Sequence, residues 1–112
     1  MQTIVELPGF LQGAANILTD NERESLKELI AKNPKIGVVI QGTGGLRKIR
    51  WGAKDKGKRG GPRTIYYHHD STMPIFLLAI FGKNEKPDLT ETEKKQITKA
   101  AKALRDNYGG KS

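Results

Sequence analysis

The run Arg63-Thr64-Ile65-Tyr66-Tyr67-His68-His69-Asp70-Ser71-Thr72-Met73-Pro74-Ile75-Phe76-Leu77-Leu78-Ala79-Ile80-Phe81 reads as two strands joined by a tight turn. Residues 63–69 combine Thr, Ile and two Tyr, types that suit a pleated surface. Asp70-Ser71-Thr72 supplies turn chemistry. Residues 75–81 are apolar throughout, as expected of a central strand covered on both faces. Upstream, residues 46–51 alternate, with Ile49 and Trp51 on one face and Lys48 and Arg50 on the other. That pattern predicts a half-buried strand with a basic outer face. The connections suit hairpins better than crossovers, so the three strands are expected to form an antiparallel meander.

Working outward, residues 3–7 form a short apolar run stopped by Pro8-Gly9, read as a strand. Residues 10–18 are apolar with alanines and read as a short helix. Thr19 and Glu22 fit a capping box, and Leu26, Leu29 and Ile30 then share one helix face. Asn33-Pro34 ends that helix, because the residue before proline avoids the helical region. Thr90 and Glu93 form a second capping box, Ile97, Ala100, Ala101 and Leu104 form its stripe, and Gly109-Gly110 ends it. The order is strand, two helices, three strands, helix. The fold class expected is α+β, one domain over residues 1–112, with helices covering one face of an antiparallel sheet.

Composition bounds the function. The chain has 112 residues, no Cys and a formal charge of +8. Without Cys there is no disulfide scaffold, thiolate zinc site or thiol nucleophile. No apolar run approaches the ~20 residues of a membrane span, and the first residues do not read as a signal peptide. A soluble, cytoplasmic protein without a membrane partner is the expectation. The charge is concentrated: residues 46–69 hold 8 basic and 1 acidic side chains, whereas residues 1–45 hold 4 and 5. A solubility surface spreads its charge, whereas a polyanion site concentrates it.

Other chemistries find little support. His68 and His69 are adjacent in an expected strand, where neighbours face opposite ways and cannot share a metal ion. Gly42-Thr43-Gly44-Gly45 lacks the Gly-Lys-Ser/Thr ending of a phosphate loop and reads as a turn. No metal or other cofactor is expected. What remains is a basic constellation of Lys48, Arg50, Lys54, Lys56, Lys58, Arg59, Arg63 and Lys83. Such a cluster can cleave RNA without a metal. Arginine forks stabilise the charge that grows on the phosphate, and the RNA's own 2′-hydroxyl is the nucleophile. The protein must orient that hydroxyl, remove its proton and protonate the leaving 5′-oxygen. Tyr66, Tyr67, His68, His69 and Trp51 lie beside these charges in sequence. They can stack on bases, although Trp51 and one tyrosine are expected in the core.

Three blocks carry a resemblance: Gly42 to Arg50, then Gly57-Lys58-Arg59-Gly60-Gly61 with Arg63, Ile65, Tyr66 and Tyr67, then Phe81-Gly82-Lys83-Asn84-Glu85. Together they resemble the RelE/HigB toxin superfamily, most closely its second HigB-type branch. The resemblance implies a compact RelE-like fold and ribosome-dependent cleavage of mRNA in the A site, which inhibits translation. It implies a cognate HigA-like helix-turn-helix antitoxin. The family's two basic strand residues fall on Lys48 and Arg50, its next strand's Arg on Arg63, and its Gly-Lys on Gly82-Lys83. RelE-type members carry an Arg after that Gly-Lys and a Tyr six residues further on; here Asn84 and Thr90 stand there. The assignment of acid and base therefore does not transfer. The base is Lys48, a loop lysine, or a neighbouring Tyr or His, and Lys54, Lys56, Lys58 or Arg59 can supply the missing charge.

The catalytic candidates are Arg63, Lys83, Lys48 and Arg50. The candidates for RNA or ribosome contact are Lys54, Lys56, Lys58, Arg59, Tyr67 and Asn84. Two other readings stand beside this one. ParE toxins share the fold and inhibit DNA gyrase without cleaving RNA, so fold alone does not decide. A basic ribosome-binding domain without activity is the third.

Overall fold

The computed structural model describes residues 2–51, 61–82 and 89–109. Elements run β1 (Ile4–Glu6), α1 (Pro8–Ile17), α2 (Asp20–Lys32), β2 (Val38–Val39), β3 (Leu46–Arg50), β4 (Arg63–Tyr67), β5 (Ile75–Phe81) and α3 (Glu91–Leu104), with α3 continuing as a π turn over Arg105–Gly109. The sheet order is β1-β5-β4-β3-β2. Strands β3, β4 and β5 form the expected antiparallel meander. The sheet as a whole is mixed, because β1 pairs with β5 in parallel. A parallel partner needs a crossover, and α1, α2 and the other strands supply it.

Both capping boxes form as the sequence predicts. Thr19 Oγ1 accepts the Glu22 N–H at 3.1 Å while Glu22 Oε1 accepts the Thr19 N–H at 2.9 Å. Thr90 and Glu93 repeat the arrangement at the start of α3. Gly42, Gly44 and Gly45 take φ of 76°, 77° and 116°, a left-handed backbone that glycine adopts without strain. The turn they build is sealed by Thr43, whose hydroxyl donates to Ile40 O and accepts the Leu46 N–H.

The helices do not share one face, contrary to the sequence expectation. Phe10 and Ala14 of α1 and Leu26 and Ile30 of α2 pack with Ile49, Tyr66, Leu77 and Ile80. Ala101 of α3 packs with Leu46, Ile65, Tyr67, Phe76, Leu78 and Phe81 on the opposite face. The reason lies in β5, which is apolar on both sides and needs a cover on each. Its register with β4 slips between Ile65 and Tyr66, so Ile65 faces Ala79 but Tyr66 faces Leu77. Leu78 is the additional residue, a bulge that places Leu78 and Ala79 consecutively on the α3 side. Strand β2 was invisible in sequence, since it is two residues long and both valines are exposed.

Candidate nucleic-acid interface

The facing register decides which charges meet. Arg50 of β3 lies directly opposite Arg63 of β4, and Lys48 lies opposite Ile65. Directly paired residues point to the same side of a sheet, so Lys48, Arg50 and Arg63 share the face that carries α3. Ile49 and Trp51 point the other way and pack with the α1–α2 cluster, as the alternation predicts. Two like charges directly opposite are unfavourable. Arg63 is moreover only 7% exposed, beside Phe81 in the register, and its Nη1 is buried without a hydrogen-bond partner among the described residues. Arg50 is exposed. A buried guanidinium nitrogen without a partner is costly. An oxyanion between the two forks removes both costs, because guanidinium pairs phosphate oxygens through two parallel N–H donors. Among the described residues, hydrogen bonding is thus left open at Arg63.

The candidates separate into three groups. Lys48, Arg50 and Arg63 come together. Lys54, Lys56, Lys58, Arg59, Lys83 and Asn84 lie outside the described residues. Tyr67 is 1% exposed and belongs to the core, so its ring has no face open to a base. Its phenol accepts a hydrogen bond from Arg105 Nη1 at 3.4 Å and sits 3.4 Å from His69 Nδ1. Tyr66 is equally buried; its hydroxyl donates to Pro34 O and accepts the Gly37 N–H, both at 2.8 Å. Burial pushes the Tyr66 phenol above its usual pKa. Both tyrosines therefore serve packing, where the sequence reading assigned only one to the core.

One residue takes a structural part that the sequence did not announce, and a second takes the capping part that it did. Arg47 points to the α2 side and donates to Gly37 O at 2.7 Å and Lys35 O at 3.2 Å, pinning the loop after α2. Thr90, at the position where RelE-type toxins carry a tyrosine, is committed to capping α3. The histidines also differ from the expectation. Strand β4 ends at Tyr67, so the alternation rule no longer separates His68 from His69, and both line one cavity.

A family model described as the RelE toxin of the RelE/RelB toxin–antitoxin system matches residues 39–109. The chain belongs to the RelE toxin family. The match contains β3, β4, β5 and α3, and with them Lys48, Arg50 and Arg63. Membership makes this chain the toxin of a toxin–antitoxin pair, with an antitoxin as its partner. Among solved structures, a mutant of the E. coli toxin RelE in the free state is similar, with a TM-score of 0.55 and 18% identity over 77% of this chain and 87% of that one. That likeness concerns the fold: an α+β RelE-like arrangement of a mixed sheet and three helices. Among the described residues no helix is long and apolar enough to cross a membrane.

Proposed function

We propose that this RelE-family toxin is an mRNA endoribonuclease that acts in the A site of the ribosome, in the cytoplasm, and so inhibits translation. The observation that carries the reading is the facing pair Arg50–Arg63, with Arg63 Nη1 buried and without a hydrogen-bond partner among the described residues. Arg63 and Arg50 hold the non-bridging oxygens of the scissile phosphate. The substrate's 2′-oxygen gives up its proton to a base and attacks phosphorus, the P–O5′ bond breaks as a 2′,3′-cyclic phosphate forms, and the leaving 5′-oxygen takes a proton from a general acid or from water. The arginines neutralise the charge that accumulates at phosphorus, which is where positioned donors contribute most. Lys48, on the same strand face, or a loop lysine orients the 2′-hydroxyl and takes up its proton. Lys83 and the loop cations Lys54, Lys56, Lys58 and Arg59 complete the charge, with Asn84 beside them in sequence. The Gly57-to-Tyr67 block supports assignment to the HigB-type branch, and with it a HigA-like helix-turn-helix antitoxin.

The test is inducible expression in bacteria with mRNA 5′ ends mapped. Growth arrest with new ends inside codons is the expected result, and both disappear in Arg63→Ala. Arrest without new ends, accompanied by a DNA-damage response, would move the target to gyrase.

A further inference from the structure

The His68–His69 pair has no part in the arginine site. Both imidazoles line a cavity of about 710 Å³ together with Gln2, Pro34, Lys35 and Ile36. That volume lies within the roughly 300–1,000 Å³ typical of small-ligand pockets. The cavity is remote from the phosphate site. His68 follows Arg63 by five residues, about 16 Å of extended chain. The cavity opens where the loop after α2 meets the end of β4, a junction fixed by Tyr66 through Pro34 and Gly37.

Its polar groups are unevenly used. His68 Nδ1 is buried and has no hydrogen-bond partner among the described residues. Lys35 is exposed, and its ammonium makes no ion pair among the described residues. Asp70, the carboxylate at the rim, is already engaged: it accepts the Thr72 N–H at 2.8 Å and the Thr72 hydroxyl, and lies 3.6 Å from His69 Nε2. Gln2 spends its amide nitrogen on Asp70 O and Met73 O, at 2.9 and 2.8 Å, which leaves its Oε1 to accept. Among the described residues the cavity therefore offers the Lys35 ammonium, the Gln2 amide oxygen, the two imidazole rings and an apolar wall of Pro34 and Ile36, with His68 Nδ1 buried.

We propose that this cavity binds a single nucleotide, with the base against the imidazoles and the Pro34–Ile36 wall and the phosphate on Lys35. Unstacked bases rest on histidine rings and present their edges to neutral donors and acceptors. A lysine ammonium holds phosphate as a point charge. The same chemistry serves a free nucleoside monophosphate and an unpaired nucleotide within an RNA. The site does not depend on the cleavage reading, because no residue is shared with the arginine cluster.

The chain has two histidines, so their imidazole resonances in NMR report this cavity without ambiguity. The full chain is titrated with AMP, with CMP, with inorganic phosphate, and with a short single-stranded RNA. Nucleotides are expected to shift both histidines, and phosphate at the same concentration is not. Arg63→Ala should leave that response unchanged. Lys35→Glu should weaken it by roughly ten- to a hundredfold, the value of one charge-assisted contact. A response to the RNA alone assigns the source to an RNA nucleotide, whereas an equal response to the monophosphates assigns it to the free ligand. The proposal is overturned if phosphate acts as well as nucleotide, if Arg63→Ala abolishes the response, or if neither histidine moves with any of the four.

Discussion

Arg50 and Arg63 are two cations placed face to face by the β3–β4 register, an arrangement that is unfavourable unless an anion lies beside them. Arg50 is the exposed member, so Arg50→Ala removes repulsion without opening the core. We expect its melting temperature to equal or slightly exceed that of the parent at low salt, while cleavage falls. A drop in melting temperature of several degrees would contradict the repulsion argument. His68 gives a pH prediction. Burial, and then the charges of Arg47 and Lys35, hold its imidazole below the usual histidine pKa, with Asp70 opposing and His69 adding to them. The folded state therefore prefers neutral His68. Its contribution to stability is full above the unfolded value near 6.5 and is lost as pH falls through the lowered folded value. Thermal melts from pH 7.5 to pH 5 should decline more steeply for the parent than for His68→Gln, and superimposable curves would reject the assignment. At this scale the sequence announced the charge of Lys48, Arg50 and Arg63 but not the burial of Arg63 or Tyr67. Burial depends on what crosses the sheet from α3, and no local pattern records that.

Elements were legible where local chemistry specifies them. The two capping boxes, the glycine turn and the apolar run of β5 all formed as read, because each depends on residues within a few positions. What escaped depends on distant partners. Strand β2 exists by pairing with β3, α3 takes the far face because β5 needs a second cover, and the π turn brings Arg105 to Tyr67. The strand placement expected for His68 and His69 failed for a related reason: β4 ends at Tyr67, just before the pair. Helix α1 gives a test at this scale. A Cβ on Gly13 would lie 2.7 Å from the backbone oxygen of Ile80, with no flexible group to yield. Gly13→Ala should therefore destabilise the fold despite alanine's better helix propensity, by about 1–3 kcal/mol, the range for overpacking a core. Chemical denaturation measures it, and an unchanged or raised midpoint would show that α1 can lift from β5 without loss.

For the whole molecule, charge distribution was the most informative feature of the sequence. The excess in residues 46–69 pointed to a polyanion before any element was placed, and the sheet then gathered three of those cations on one face. The family match explains why the same chain segment carries both fold and charge, since it spans the strands that hold Lys48, Arg50 and Arg63. The account depends most heavily on Arg63. Its direct test is the single-turnover rate of mRNA cleavage by the purified chain on ribosomes carrying a defined codon in the A site, with Arg63→Ala measured in parallel. The account predicts cleavage within that codon only when ribosomes are present, slowed by about 10²–10³-fold in a folded Arg63→Ala protein, as for loss of a transition-state donor. Cleavage at the parent rate by folded Arg63→Ala, or no cleavage by the parent chain, would contradict it.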